Sequence, residues 1–230
     1  MGIAANGNKT VYETQQLLTQ LGFNCGEPDG LWGKLSTAAL EACKSSLHSP
    51  QAPYGTKLVT WGQKLTDAEI ARVAKMVTNL GLPYTCLNDF MACMAFETGG
   101  TFSPSIKNGA GAPYYGLIQF GKDAATDVGT TLDALVKMTV LQQLDYVEKF
   151  FKPYAGKIKD LSDLYLRILL PIGVGKPADF VLFNQGTTAY LQNKGLDINS
   201  DGKITKLECT HMVNNRYVRG LLPGYVKSLV

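Results

Sequence analysis

Two successive helical segments constrain this chain more than any other feature in it. In TDAEIARVAKMVTNLG, Thr66 stands at a cap position and Glu69, three residues on, completes a capping box. Ile70, Val73, Ala74 and Val77 recur at helical spacing, and Gly81 and Pro83 stop the segment. Residues 85–97, TCLNDFMACMAFE, follow at once. Leu87, Phe90, Met91 and Met94 mark an apolar stripe, and Glu97, three residues after Met94, falls on that stripe. Further helices are predicted over residues 132–151, 160–170, 178–191 and 205–217, and only residues 114–120, YYGLIQF, read as extended. The pattern predicts a mainly α fold.

The 230 residues allow one large domain, or a medium domain with a small one. An apolar content of 45% supplies a core, and a net charge of +3 is too mild to argue for nucleic acid. Lys and Arg do not interleave with aromatics as a strand-binding groove requires. The start MGIAANGNKT lacks the pattern of a signal peptide, and no stretch reaches the roughly 18 apolar residues of a membrane span. The expectation is a soluble monomer made in the cytoplasm, without membrane insertion. The five cysteines are read as reduced core residues, with a Cys25–Cys43 bridge unsupported. Two histidines, His48 and His211, are too few for a zinc hydrolase.

Residues 1–48 read as a small unit. Val11, Gln15 and Leu18 suit a helix stopped at Gly22; GEPDGLWG is dense in turn residues; a second helix is predicted to begin near Ser36 and bury Ala39 and Cys43. Residues 49–64 read as a linker, and residues 65–230 as the main domain.

Glu97 is the first candidate for chemistry. Burial against Met94 and the negative end of its helix would both raise its pKa, as a general acid for glycosidic cleavage requires. The competing reading is a helix-end glutamate that reaches water past Gly99 and Gly100. Glu97-Thr98, Phe102 and then Gly116-Leu117-Ile118-Gln119 resemble the two motifs of lytic transglycosylases of the lysozyme superfamily, Glu-Ser-x-x-Phe and Gly-Leu-Met-Gln. The resemblance covers about residues 65–183. It departs in two places: Gly99-Gly100 displaces Phe102 by one residue, and Leu170-Pro171-Ile172-Gly173 lacks the family's late tyrosine.

The resemblance implies a lysozyme-like α-helical catalytic domain with a small extended segment. In it Glu97 would be the general acid and base cutting between N-acetylmuramic acid and N-acetylglucosamine in bacterial peptidoglycan. Thr98, Tyr114, Tyr115, Gly116 and Gln119 would contact substrate, with Tyr114, Tyr115 or Tyr165 replacing the missing tyrosine. After Glu97 the next acids are Asp123 and Asp127, so hydrolysis with a second carboxylate stays open beside anhydro-sugar formation. Val11, Gln15, Leu18, Asp29-Gly30, Trp32-Gly33 and Thr37-Ala38-Ala39 resemble the three-helix peptidoglycan-binding domain, with Asp29 and Trp32 as its wall-binding candidates. For Asp29 the plain alternative is a turn, and for Trp32 it is a core residue.

DINSDGKITKLE, residues 197–208, matches the twelve-residue calcium loop of EF-hands. Asp197, Asn199, Asp201, the Lys203 carbonyl, Thr205 and Glu208 take the ligand positions, and Gly202 the sharp turn. One such loop argues for a structural calcium ion, and no organic cofactor is expected. Taken together, the resemblances imply a phage endolysin or virion-associated lysin, reaching the wall through a holin or in a particle. A non-catalytic wall-binding protein is the alternative of another class, and a chitinase-like muramidase a third reading.

Overall fold

The computed structural model describes residues 2–47 and 57–229. Ten α-helices and little strand occur among them, so the fold is mainly α. In chain order they are α1 (Lys9–Gln20), α2 (Lys34–Ser46), β1 (Lys57–Val59), α3 (Asp67–Asn79), α4 (Cys86–Glu97), α5 (Lys122–Asp127), α6 (Leu132–Leu135), α7 (Val140–Phe151), α8 (Leu161–Leu169), β2 (Val181–Asn184), α9 (Thr188–Asn193), β3 (Lys203–Thr205), α10 (Lys206–Arg219) and β4 (Lys227–Leu229). They fall into two compact units, one of Met1–Thr60 with Gly175–Val230 and one of Trp61–Val174.

This division departs from the boundary expected after residue 48. The reason is that α1 buries its apolar face against α10. Val11 and Leu18 of α1, and Val213, Tyr217 and Val218 of α10, are all buried. Asn215 donates to the Thr14 hydroxyl at 3.0 Å, and Arg219 meets Glu13 at 3.4 Å. Lys44 of α2 donates to Asn214 at 3.2 Å. β1 pairs antiparallel with β4, Leu58 opposite Ser228. A segment of fewer than 50 residues has little core of its own, and these contacts supply the remainder. Of the expected linker, residues 49–56 lie outside the described residues, while residues 57–64 form β1 and a 3-10 turn at Gly62–Lys64.

Four sequence readings change at their ends or in kind. Residues 178–191 form β2 before α9, because β2 pairs with β3, and Phe180 and Ala178 carbonyls accept from the first N–H groups of α10, Lys206 and Leu207. A helix start leaves such donors open, so an extended partner is favoured there over a helix. Residues 132–151 split into α6 and α7, since Thr139 caps α7 in a capping box with Gln142. α2 starts at Lys34 from Gly33, and Ser36 is buried, its hydroxyl accepting from Gln15. Residues 114–120 form a tight turn closed by a Tyr115–Phe120 bridge.

In the second unit α4 is the central helix. Its residues from Phe90 to Ala95 are all buried, a wider apolar surface than a single stripe. Phe90 meets Phe151 of α7 edge-on at 5.0 Å, and Phe96 meets Tyr165 of α8 at 5.5 Å. Arg72 of α3 bridges Asp145 and Glu148 of α7 at 2.7 and 2.8 Å. Thr66 and Glu69 form the capping box read from the sequence. All five cysteines are buried.

Candidate functional site

Glu97 is the last residue of α4 and is half-buried. Burial alone pushes its carboxyl up to about 8, far above the ordinary carboxylate range. The chain turns immediately behind it. The Thr98 hydroxyl donates to the Met94 carbonyl at 2.6 Å and accepts from Phe102 N–H at 3.0 Å, while Gly100 N–H closes on the Ala95 carbonyl at 2.7 Å. Thr98 is fully buried, so it positions the turn and does not present its hydroxyl to a polymer. Phe102 adopts a left-handed φ of 54° and packs at 2% exposure, its ring 6.3 Å from that of Trp61.

The second motif, Gly116 to Gln119, forms the turn between Tyr115 and Phe120, and one buried side chain holds it. Gln143 of α7 is fully buried; its carbonyl accepts from Leu117 N–H at 2.7 Å, and its amide donates to Pro104 and Leu135 carbonyls at 2.9 and 3.0 Å. Gly116 is required there: its φ is +82°, and a Cβ would lie 2.3 Å from the Gln143 oxygen. Gly116 is therefore fixed by packing against Gln143. The sequence reading missed Gln143, although a glutamine in the stripe of Val147, Phe150 and Phe151 signals a buried polar group.

Gln119 sits at φ 52°, a conformation that costs a non-glycine residue about 1–2 kcal/mol. Its amide donates to the Gly116 and Ile106 carbonyls at 3.2 and 3.4 Å, and its buried Oε1 has no partner. The turn thus holds Gln119 in a strained conformation with one acceptor open. Gln119 lines a cavity of about 340 Å³ with Tyr114, Phe120, Asp123 and Phe150; Glu97 is not part of that lining. Tyr114 is 47% exposed and available to a ligand, Tyr115 is half-buried, and Tyr165 is a core residue at 4% exposure. Ile172, in the segment Leu170–Gly173, is 64% exposed on a 3-10 turn.

In the first unit, Gln15 plays the part that Gln143 plays in the second. Its carbonyl accepts from Asp29 and Gly30 N–H at 3.0 and 2.8 Å, and its amide donates to Asp29, to the Leu31 carbonyl and to Ser36. The hydrogen bond from Gln15 holds the Asp29 carboxyl below its usual range, joined by one from Leu31 N–H at 2.9 Å. Asp29 is thus a turn residue. Trp32 is half-buried and meets the His211 ring edge-on at 4.5 Å.

The loop of residues 197–208 folds around Asp197, whose carboxylate accepts from Asp201 and Gly202 N–H at 3.2 and 3.0 Å and from the Tyr190 hydroxyl at 2.6 Å. Asn199 accepts from Asp201 N–H at 2.9 Å, and Asp201 from Lys203 N–H at 2.8 Å. Thr205 and Glu208 form a capping box in which one Glu208 oxygen takes both Thr205 donors, at 2.9 and 2.8 Å. The other oxygen, Oε1, is buried without a partner. Oxygen donors and an orphaned carboxylate oxygen fit a hard cation. The acids do not converge, however: among the described residues no three of His, Cys, Asp and Glu form a metal-holding group. Glu208 would have to leave Thr205 to join Asp197, Asn199, Asp201 and the Lys203 carbonyl.

No protein-family model matches the chain, and neither does any curated protein.

Proposed function

We propose that the chain is a peptidoglycan-cleaving enzyme of lysozyme-like fold, with Glu97 as its acid and the unit of residues 61–174 as its catalytic part. What carries the reading is a carboxyl raised to about 8 at the end of an apolar helix, so that it holds a proton at neutral pH. In the proposed reaction Glu97 protonates the oxygen between N-acetylmuramic acid and N-acetylglucosamine as the C1–O bond breaks. The muramic 6-hydroxyl then bonds to C1, and its proton returns to Glu97, closing a 1,6-anhydro ring. Gln119 Oε1 offers an acceptor to a sugar hydroxyl or acetamido N–H, and Tyr114 an exposed ring face.

A second reading is hydrolysis, favoured by Asp123 sharing the cavity of Tyr114 and Gln119. There water bonds to C1 with Asp123 assisting. The first unit, with Trp32 and the 197–208 loop, is proposed to hold the wall, and calcium to bind Asp197, Asn199, Asp201 and Glu208 and brace α9 to α10. Zymography on peptidoglycan tests the whole: wild type should clear the gel and folded Glu97→Gln should not. A folded Glu97→Gln protein that clears at a tenth of the wild-type rate or more overturns the assignment. Mass spectrometry of the products separates anhydro from hydrolysed ends.

A further inference from the structure

Arg167 of α8, in the second unit, is held against two aromatic rings. Its guanidinium carbon stands 3.8 Å from the centre of the Phe150 ring and 4.4 Å from that of Tyr154, in the 3-10 turn that follows α7. Its Nε and Nη2 both donate to the Phe150 carbonyl, at 3.2 and 3.0 Å. A guanidinium has five N–H donors, so both on Nη1 and the second on Nη2 are left as an open edge. Nη1 is not buried, and among the described residues no carboxylate forms an ion pair with Arg167. Asp127 favours the cation from a distance, and Lys157 stands 5.5 Å from the centre of the same Tyr154 ring. Phe150 also lines the cavity of Tyr114 and Gln119, as does Ile168, the next residue of α8. Arg167 is thus a neighbour of that cavity without being part of its lining.

From this arrangement we infer that the open edge of Arg167 is a binding site for a carboxylate, carried by a ligand whose sugar occupies the neighbouring cavity. Two parallel N–H groups on a planar guanidinium match the two oxygens of a carboxylate. The Phe150 carbonyl and the two rings fix the side chain before a ligand arrives, so little of its freedom is lost on binding. That carbonyl takes hydrogen bonds but cancels no charge. Burial disfavours the charged form of Arg167, a cost that a bound carboxylate offsets. Two positive groups, Arg167 and Lys157, face the single negative charge of Asp127, and one excess charge suits a monoanion better than a phosphate dianion. The inference rests on the proposed function for its ligand: the wall's N-acetylmuramic acid bears a lactyl group, and the stem peptides joined to it carry free carboxylates.

Titration calorimetry on the full chain, with folding checked by circular dichroism, tests it. The probes are N-acetylmuramyl-L-alanine, its carboxamide (the same shape without the charge), N-acetylmuramic acid and N-acetylglucosamine 6-phosphate. None contains the bond that Glu97 is proposed to cut. The alanine acid should bind at least about tenfold more tightly than its amide. Folded Arg167→Gln should bind acid and amide alike, and Arg167→Lys, which keeps the charge without the fork, should retain part of the preference. N-acetylmuramic acid tells a lactyl from a peptide carboxylate, the tighter of the two acids naming the source. An acid bound no more tightly than its amide, a preference unchanged in Arg167→Gln, tighter binding of the phosphate, or no binding of either acid at millimolar levels would each overturn the inference. The comparison of acid with amide needs no variant, so a misfolded Arg167→Gln leaves it decisive. A protein that clears the zymogram but fails here loses this site alone, and one that prefers the acid but clears nothing keeps the site and loses the cleavage.

Discussion

Glu97 and Glu208 stand at opposite ends of their helices, one closing α4 and the other in the first turn of α10. Glu97 ends a helix whose residues from Phe90 to Ala95 are buried, and burial raises its carboxyl to about 8. At Glu208 the N–H and hydroxyl of Thr205 both donate to one carboxyl oxygen. The same side chain thus has a raised pKa in one unit and is a held hydrogen-bond acceptor in the other. Each unit also holds its motif turn with one buried glutamine, Gln143 in one and Gln15 in the other. Burial raises the one, and the two Thr205 donors hold the other in place.

Exchanging each glutamate for its amide should give the largest contrast. Glu97→Gln loses a transferable proton, and wall lysis should fall by about 10³-fold or more. Glu208→Gln keeps its cap, and lysis of soluble glycan should stay within about threefold, since Glu208 lies outside the unit proposed to carry the chemistry. Turbidity and chromatographic rates check both. Equal losses in the two variants would dissolve the distinction.

The glutamine clamps come next. Gln143→Leu leaves Leu117 N–H and the Pro104 and Leu135 carbonyls without their partner, each at about 1–3 kcal/mol. Scanning calorimetry should show a fall of about 2–4 °C for each kcal/mol lost. An unchanged melting temperature would mean that the Gly116–Gln119 turn holds itself.

Calcium should move stability only through the Glu208 side of the comparison. A ligand that binds the folded form alone adds about 2.7 kcal/mol at one hundred times its dissociation constant. Chelation should lower the melting temperature of wild type and of Glu97→Gln alike, and leave Asp201→Ala unmoved. A chelator without effect on wild type would make residues 197–208 a capping loop.

pH bears on the Glu97 side of the comparison alone. The folded pKa of Glu97 lies above its ordinary value of 4.5, so the folded state binds more protons between pH 4.5 and about 8. Wild type should therefore be most favoured by this group below pH 4.5 and lose that advantage as pH rises towards 8. Glu97→Gln should lack the decline. Parallel melting curves of the two proteins across that range would place Glu97 in water.

Much of this was legible in the residues. The Thr66–Glu69 capping box, the end of α4 at Glu97 and the loop of 197–208 follow from interactions spanning three to five residues. The role of Thr98 was not legible, because its hydroxyl pairs with Met94 and Phe102 inside the turn, where a polar side chain in a motif suggests a contact with substrate. Nor was that of Gly116, whose missing Cβ answers to Gln143, distant in the chain.

By itself the sequence determined a mainly α chain, the capping box that opens α3 and the acid at the end of α4. Caps, glycine stops and apolar spacing act locally, and a local signal can be read without knowing what it packs against. Only the tertiary structure decided that Gly175–Val230 joins Met1–Thr60, that residues 181–184 extend beside β3, and that Trp32, Glu208 and His211 share a cavity. These are matters of which apolar face meets which. Many pairings of similar faces bury similar area, and the choice among them rests on contacts such as Asn215 to Thr14, made between residues far apart in the chain.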